Sequence, residues 1–383
     1  MEFEFLSPLE PHIIKFANGL SQKQLGFTLI KNQVNNFPEL NGIKLAIIAV
    51  LENRNDDSAT AEVDISHIRK EIYQLYPGNW RNEIADLGDI NQGETTEDTF
   101  FALKLIVERL VKSDIIPIII GGTQDLTYPI YRAFDNIDQM VNLVSIDSKF
   151  DFGKEDQPIK LDSYLSRIIA DEPNNLFNYS NLGFQTYFNA QEEIDLIEKL
   201  YFEAYRLGDI SNNITIAEPV LRDADIVIID LTSIKSADSG NLISFAPNGF
   251  DGKEICSLAR YSGISSKVKV YGIFNHNNSK NESFLISQII WYFIEGYYCR
   301  NSENPTRDET HFIKYNVPVE EQQLVFYKSN KTQRWWMETP HYGKINNKAH
   351  RSTLLPCTYE EYLNCCKLDI PERWWKAQRK NIL

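Results

Sequence analysis

The sequence predicts an α/β fold: a three-layer α/β/α domain on a mainly parallel sheet, with an N-terminal arm and a Trp-rich C-terminal extension. Three observations predict it. Short, nearly unbroken apolar runs recur along the chain, as strands buried on both faces do. Stretches of helical periodicity separate them, the alternation expected of a parallel sheet covered by helices. Two of the runs end in Asp and a third in Gly121-Gly122. In such sheets the chemistry collects beyond the C-terminal strand ends.

Residues 1–40 read as a helical arm, 41–324 as the main domain and 325–383 as the extension. KLAIIAVL (44–51) is a buried strand, and 60–76 an amphipathic helix with Ile65, Ile68, Ile72 and Leu75 on one face. IADLGDI (84–90) is a short strand, and Glu97–Ser113 has helical periodicity. IIPIIIGG (115–122) is a strand running into a helix; with no GxGxxG or GK[ST], its glycines mark a tight turn rather than a phosphate cradle. Then come strands at 141–147 and 180–186, a helix at 191–207, and a strand at 224–231. A helix at 251–261, a strand at 267–274 and a long apolar helix at 283–298 complete the domain. The extension reads as a hairpin-like segment, an irregular stretch and a short helix. Its Trp335-Trp336 and Trp374-Trp375 pairs suit partner docking, burial on their own chain or contact within an oligomer.

The chain has 383 residues, 43% hydrophobic and 24% charged, which excludes a disordered or fibrous chain. Its net charge of −14 argues against nucleic acid or anionic lipid as the main partner. The opening MEFEFLSPLEPHIIKF lacks the pattern of a signal peptide. The run Phe284–Tyr298 is too short and too polar to cross a bilayer. Five cysteines without CxxC spacing fit free thiols in a reducing cytoplasm better than a disulfide framework or a zinc site.

The three strand ends read IIIGGTQDLTYP (118–129), VSIDSKFDFG (144–153) and VIIDLTSIKSADSG (227–240). In this order they resemble the arginase/ureohydrolase family, which includes arginase, agmatinase and formimidoylglutamase and whose segments read GGDHS, DAHxD and SxDxDxxDP. IADLGDI, HIRKEIYQL (67–75), NGFDGKEICSLAR (248–260) and the helix at 282–296 extend the resemblance over roughly residues 40–300. In that family four Asp and two His hold two Mn²⁺ ions, whose bridging hydroxide attacks a guanidinium or formimino carbon.

The resemblance implies ligand positions at Asp147, Asp151 and Asp230. Gln124 and Lys149 replace the two His, and Thr232 replaces an Asp; Lys235 replaces the non-ligand Asp of the DP pair. An ammonium at position 149 is expected where an ion belongs, so that three carboxylates face Lys149 and Lys235 in a metal-free ion cluster. The family's late strand carries a Glu for the substrate's cationic end; VYGIFNHNNS (270–279) has none, and His276 just past it reads as a surface loop residue. The resulting expectation is a catalytically inactive, cytoplasmic arginase-fold protein acting in binding or assembly. It has no catalytic residue, no metal, and a remodelled pocket at Gln124, Lys149 and Thr232 open to a small-molecule ligand. A protein partner or self-association is expected, since the family forms trimers and hexamers. The alternative is a metal-dependent hydrolase of guanidino or formimino C–N bonds, with one Mn or Mg ion on the three Asp.

Overall fold

A computed structural model describes residues 3–56, 62–81, 83–137, 139–153, 159–160, 162–242, 245–306, 309–319, 322–339 and 354–382. Among these, nine strands form one all-parallel sheet: β1 (Ile30–Lys31), β2 (Leu45–Val50), β3 (Ile84–Ile90), β4 (Ile116–Gly121), β5 (Val141–Ile146), β6 (Leu176–Phe184), β7 (Glu203–Arg206), β8 (Ile226–Asp230) and β9 (Val270–Phe274). Their order is β1-β3-β2-β4-β9-β8-β5-β6-β7. The apolar runs bury both faces because successive side chains alternate between them. Leu45, Ile47 and Ala49 of β2 join one core with Ile118 and Ile120 of β4, while Ala46, Ile48 and Val50 join the other with Ile119. Helices cover both faces, giving the three layers.

The arm holds more than helix. Helix Pro11–Asn18 buries Ile13 and Ala17, and β1 then pairs in parallel with β3 as an edge strand. The helical reading over 191–207 holds only for Gln191–Lys199. Tyr201 adopts a left-handed backbone (φ 56°), and the chain turns into β7 beside β6. The cause is tertiary: Glu203 is buried at the sheet edge and held by Arg373 of the C-terminal helix, Tyr205 and Asn178. Burial pushes that carboxyl up, but Arg373, Lys380 and the hydrogen bonds from Tyr205 and Asn178 together outweigh it and keep its pKa low.

The C-terminal part forms an antiparallel sheet of β10 (Phe312–Val319), β11 (Gln322–Ser329), β12 (Trp335–Glu338) and β13 (Leu354–Cys357), followed by helices Tyr359–Cys365 and Glu372–Ile382. The expected irregular stretch falls largely on 340–353, outside the described residues. Three of the four Trp are buried on their own chain: Trp335, Trp336 and Trp374; Trp375 is exposed. Arg222 of the main domain stacks on the Trp336 ring (4.4 Å) and donates to the carbonyls of Trp335 and Cys357 (2.9 and 3.3 Å). That contact pins the small sheet to the large one. Among the described residues no helix is long and apolar enough to cross a membrane.

On helix Ser66–Gln74, Arg69 is buried against Asp86 (2.9 Å) and Asp89 (2.7 Å), and Tyr73 donates to Asp86 (2.8 Å). Burial opposes the charge of Arg69, but the two carboxylates outweigh it and raise its pKa. Replacing Arg69 by Met leaves both carboxylates buried without their cation. The expected cost is about 3–5 kcal/mol of stability, read as a lower urea midpoint at an unchanged slope.

Candidate functional site

The four central strands, β4, β9, β8 and β5, are neighbours in the sheet but far apart in sequence. Their C-terminal ends open a crevice where the strand order reverses. The turn after β4 needs its second glycine: a Cβ at Gly122 would lie 2.0 Å from the Glu52 carbonyl oxygen. This close approach sends the chain straight into the short helical turn Gln124–Leu126 and aims Gln124 across the crevice. Its amide Nε2 donates to Asp147 Oδ2 (2.6 Å), Ser145 Oγ (3.3 Å) and Tyr164 Oη (3.2 Å). Its Oε1 accepts from Asn275 Nδ2 (3.3 Å), just beyond β9.

Asp147 follows β5 and is fully buried; its Oδ1 accepts from the Lys149 backbone N–H (2.9 Å). Asp151 takes a left-handed backbone (φ 56°), which Asp tolerates, and turns its carboxyl back to within hydrogen-bonding reach of Asp147. Both groups are acceptors when ionised. Asp151 Oδ2 is buried with no hydrogen-bond partner. Two facing carboxyl oxygens need a proton or another cation between them. Asp230, at the end of β8, is also buried, and Thr232 donates to it through Oγ1 (2.6 Å) and its backbone N–H (2.8 Å). Burial raises the pKa of all three carboxyls first. Asp230 then raises Asp147, Asp147 raises Asp151, and the Thr232 hydrogen bonds act in the opposite sense on Asp230.

The structure therefore gathers Gln124, Asp147, Asp151, Asp230 and Thr232, but not the lysines. Lys149 offers its backbone to Asp147 while its side chain is exposed, with Nζ 6.0 Å from the Phe188 ring, and it forms no ion pair with a described carboxylate. The Lys149 ammonium is thus not ion-paired within the cluster, although its charge still lowers the pKa of Asp151 and Asp230. Lys235 is likewise drawn elsewhere, 4.0 Å from Asp238 and 4.0 Å from Asp251. His276 is not a surface residue in chemical terms, because its Nε2 is buried without a partner and burial lowers its pKa to about 4.

Three further residues belong here. Asn275 (φ 61°) bonds Gln124 through its side chain. Asp125 is buried, accepts from Asn55 Nδ2 (2.6 Å), and is raised by burial to about 6. Glu282 is buried in the first turn of helix Lys280–Tyr298 and raised to about 7, by burial first and by Asp230 as well. The sequence Ser279-Lys-Asn-Glu282 carries the signature of a helix capping box, which predicts an exposed glutamate. Instead Glu282 accepts from Asn277 N–H.

Residues 54–228 match the sequence model of the Arginase family. The formimidoylglutamase of Geobacillus sp. (strain WCH70) is 26% identical over 187 residues, 46% of this chain. The chain spans only 57% of that curated relative's length. The Trypanosoma cruzi formiminoglutamase with Mn²⁺ superposes with a TM-score of 0.62 at 15% identity, covering 70% of this chain and all of that one. The formimidoylglutamase of Bacillus subtilis gives 0.61 at 15% identity, covering 68% of this chain and 89% of that one. The agmatine ureohydrolase of Thermoplasma volcanium gives 0.55 at 17% identity, covering 74% and 98%. The matched segment, a little under half of the chain, is similar to the Arginase family. The structural likenesses, all far below 25% identity, establish the fold.

The carboxylates at the strand ends can be tested for their fit to a metal. Three buried carboxylates, one with an open oxygen and none ion-paired to a lysine, are hard donors suited to one Mn²⁺ or Mg²⁺. They do not suit two ions, for which the imidazoles and the fourth Asp are missing. The side chains are neighbours rather than a ready cage: among the described residues no three His, Cys, Asp or Glu are drawn around one point.

Without an ion the cluster sets a pH dependence. Carboxyls whose folded pKa is raised bind more protons folded than unfolded, so their stabilisation is present below the unfolded value and lost as pH rises through the folded one. Asp125 and Glu282, at about 6 and about 7, act in the same direction as the three Asp. Metal-free protein is expected to lose stability between about pH 4 and 7. Asp151→Asn should flatten that loss, as read by urea unfolding across the range.

Proposed function

We propose that the chain is a hydrolase of guanidino or formimino C–N bonds with an atypical centre at Asp147, Asp151 and Asp230 that takes one Mn or Mg ion. The observation that supports this most is the pair of facing carboxyls, Asp147 and Asp151, with Asp151 Oδ2 unpaired and no lysine between them. An inactive ion cluster would supply its own cation, and Lys149, which was expected to do so, is exposed and makes no ion pair with a described carboxylate, though its charge acts on Asp151 and Asp230. The ion would supply Lewis acidity and a water of lowered pKa. The chain's own residues do the rest. Gln124 fixes the orientation of Asp147, Thr232 holds Asp230, and Asn275 ties the β4 and β9 walls together. Asp151 holds the displaceable proton. The buried rim of Phe150, Phe184 and Phe250 lowers the local dielectric around these charges.

A second reading, binding or assembly without turnover, is favoured by one observation. The Gln124 amide and Thr232 hydroxyl occupy oxygens of Asp147 and Asp230, so those two carboxylates are hydrogen-bonded without an ion.

Protein purified with excess Mn²⁺ is expected to hold about one ion per chain by elemental analysis. It should also release urea from arginine or agmatine, or formamide from formimidoylglutamate. Asp230→Asn should lower both readouts at least about tenfold. A chain that holds no metal and releases neither product supports the second reading instead.

A further inference from the structure

The C-terminal extension meets the main domain along β7, and the junction is not filled. A cavity of about 410 Å³ lies between β7, the turn Ile214–Ile216 and the helices Tyr359–Cys365 and Glu372–Ile382. Small-molecule sites favour such junctions and this size. Among the described residues, none of the strand-end carboxylates lines it.

One wall carries a cation short of partners. Arg373 is 8% exposed, and the one hydrogen bond of its guanidinium to a described residue runs from Nη1 to the Pro356 carbonyl (2.8 Å). Nε is buried with no hydrogen-bond partner, 3.5 Å from Glu203 Oε2. Glu203 is itself satisfied by Tyr205 and Asn178 (2.7 and 3.0 Å). Lys380 adds a second positive charge close to that one carboxylate, and Lys376, which also lines the cavity, is paired only with the exposed Glu372 (2.8 Å). The Nε–Nη2 edge of Arg373 is thus left for an anion, in the fork geometry that fits a carboxylate.

The opposite lip is acidic. Glu361 Oε2 caps its own helix by accepting from the Thr358 N–H (2.6 Å), and no hydrogen bond from a described residue reaches its Oε1. Arg373 and Glu361 are near enough for their charges to act on each other. Glu360 adds an exposed carboxylate, and Ala204, Ile216 and Pro371 add apolar lining. A simple anion would satisfy Arg373 but face these carboxylates. A simple amine would leave Arg373 unanswered. A small zwitterion with an apolar body meets both needs.

We propose that this cavity is a second ligand site, for a free α-amino acid with an apolar side chain, its carboxylate on the Arg373 fork and its ammonium on Glu361. The ligand bridges the main domain and the extension. The site stands apart from the hydrolase reading and does not depend on it.

The test is calorimetric titration of the full chain with L-leucine and its two singly charged analogues, isocaproate and isoamylamine. Wild type, Glu361→Gln, Arg373→Lys and Asp151→Asn are compared. Gln at 361 keeps the helix cap, and Lys at 373 keeps the charge beside Glu203 but loses the fork. Wild type is expected to bind leucine at least about tenfold more tightly than either analogue. Glu361→Gln and Arg373→Lys should each weaken leucine by about tenfold, while Asp151→Asn stays within about twofold of wild type. The proposal is overturned if wild type binds none of the three, or if isocaproate binds as well as leucine, which would make this a plain anion site. It is also overturned if Glu361→Gln binds leucine like wild type. Loss of leucine binding in Asp151→Asn overturns it too, because binding would then belong to the strand-end rim.

Discussion

The site depends on one electrostatic constraint: buried carboxylates cannot share a small volume without a cation among them. Asp147, Asp151 and Asp230 share such a volume, Glu282 adds to it, and the lysines nearest in sequence form no ion pair with these carboxylates. The contrast with Arg69 is instructive. There the same kind of cluster, Asp86 and Asp89, is closed by a buried guanidinium at 2.9 and 2.7 Å. One acidic cluster is a finished structural unit, and the other is open. The polar side chains around the open one, Gln124, Thr232 and Asn275, are neutral. They orient carboxylates without cancelling their charge, as positioning residues of a binding centre do.

The parallel sheet makes that concentration possible. Strands β4, β9, β8 and β5 lie side by side, so four separate chain segments deliver their ends to one crevice. Apolar side chains bury both faces of those strands, which keeps water out and raises the carboxyl pKa values. The small antiparallel sheet sits elsewhere, held through Arg222 to its Trp336 ring and through Arg373 to Glu203 at the β7 edge. Its Trp residues serve mainly to build its own core with Met337, Phe326 and Tyr362.

The layers and the central strands were legible in the sequence because apolar runs and strand-end residues follow local periodicity. β7 was not, because EAYR carries no strand signal and owes its place to a buried pair with Arg373, 170 positions later in the chain. At the site, the motif order located Gln124, Asp147, Asp151, Asp230 and Thr232. The direction of Lys149 was illegible, since it depends on the turn after Asp147 and not on residue type. Glu282 was hidden for the opposite reason: its local sequence reads as an ordinary helix cap, and only the fold brings it beside Asp230. His276 looked like a loop residue because burial of a single ring nitrogen is a tertiary property.

The central claim is that the Asp147–Asp151 pair holds a proton that a metal cation displaces. Its most direct measurement is the proton count on Mn²⁺ binding near pH 6, from calorimetry in buffers of different ionisation enthalpy. The account predicts release of about one proton per ion in the wild type and none in Asp151→Asn. Binding with no proton released, or no binding at all, would contradict it.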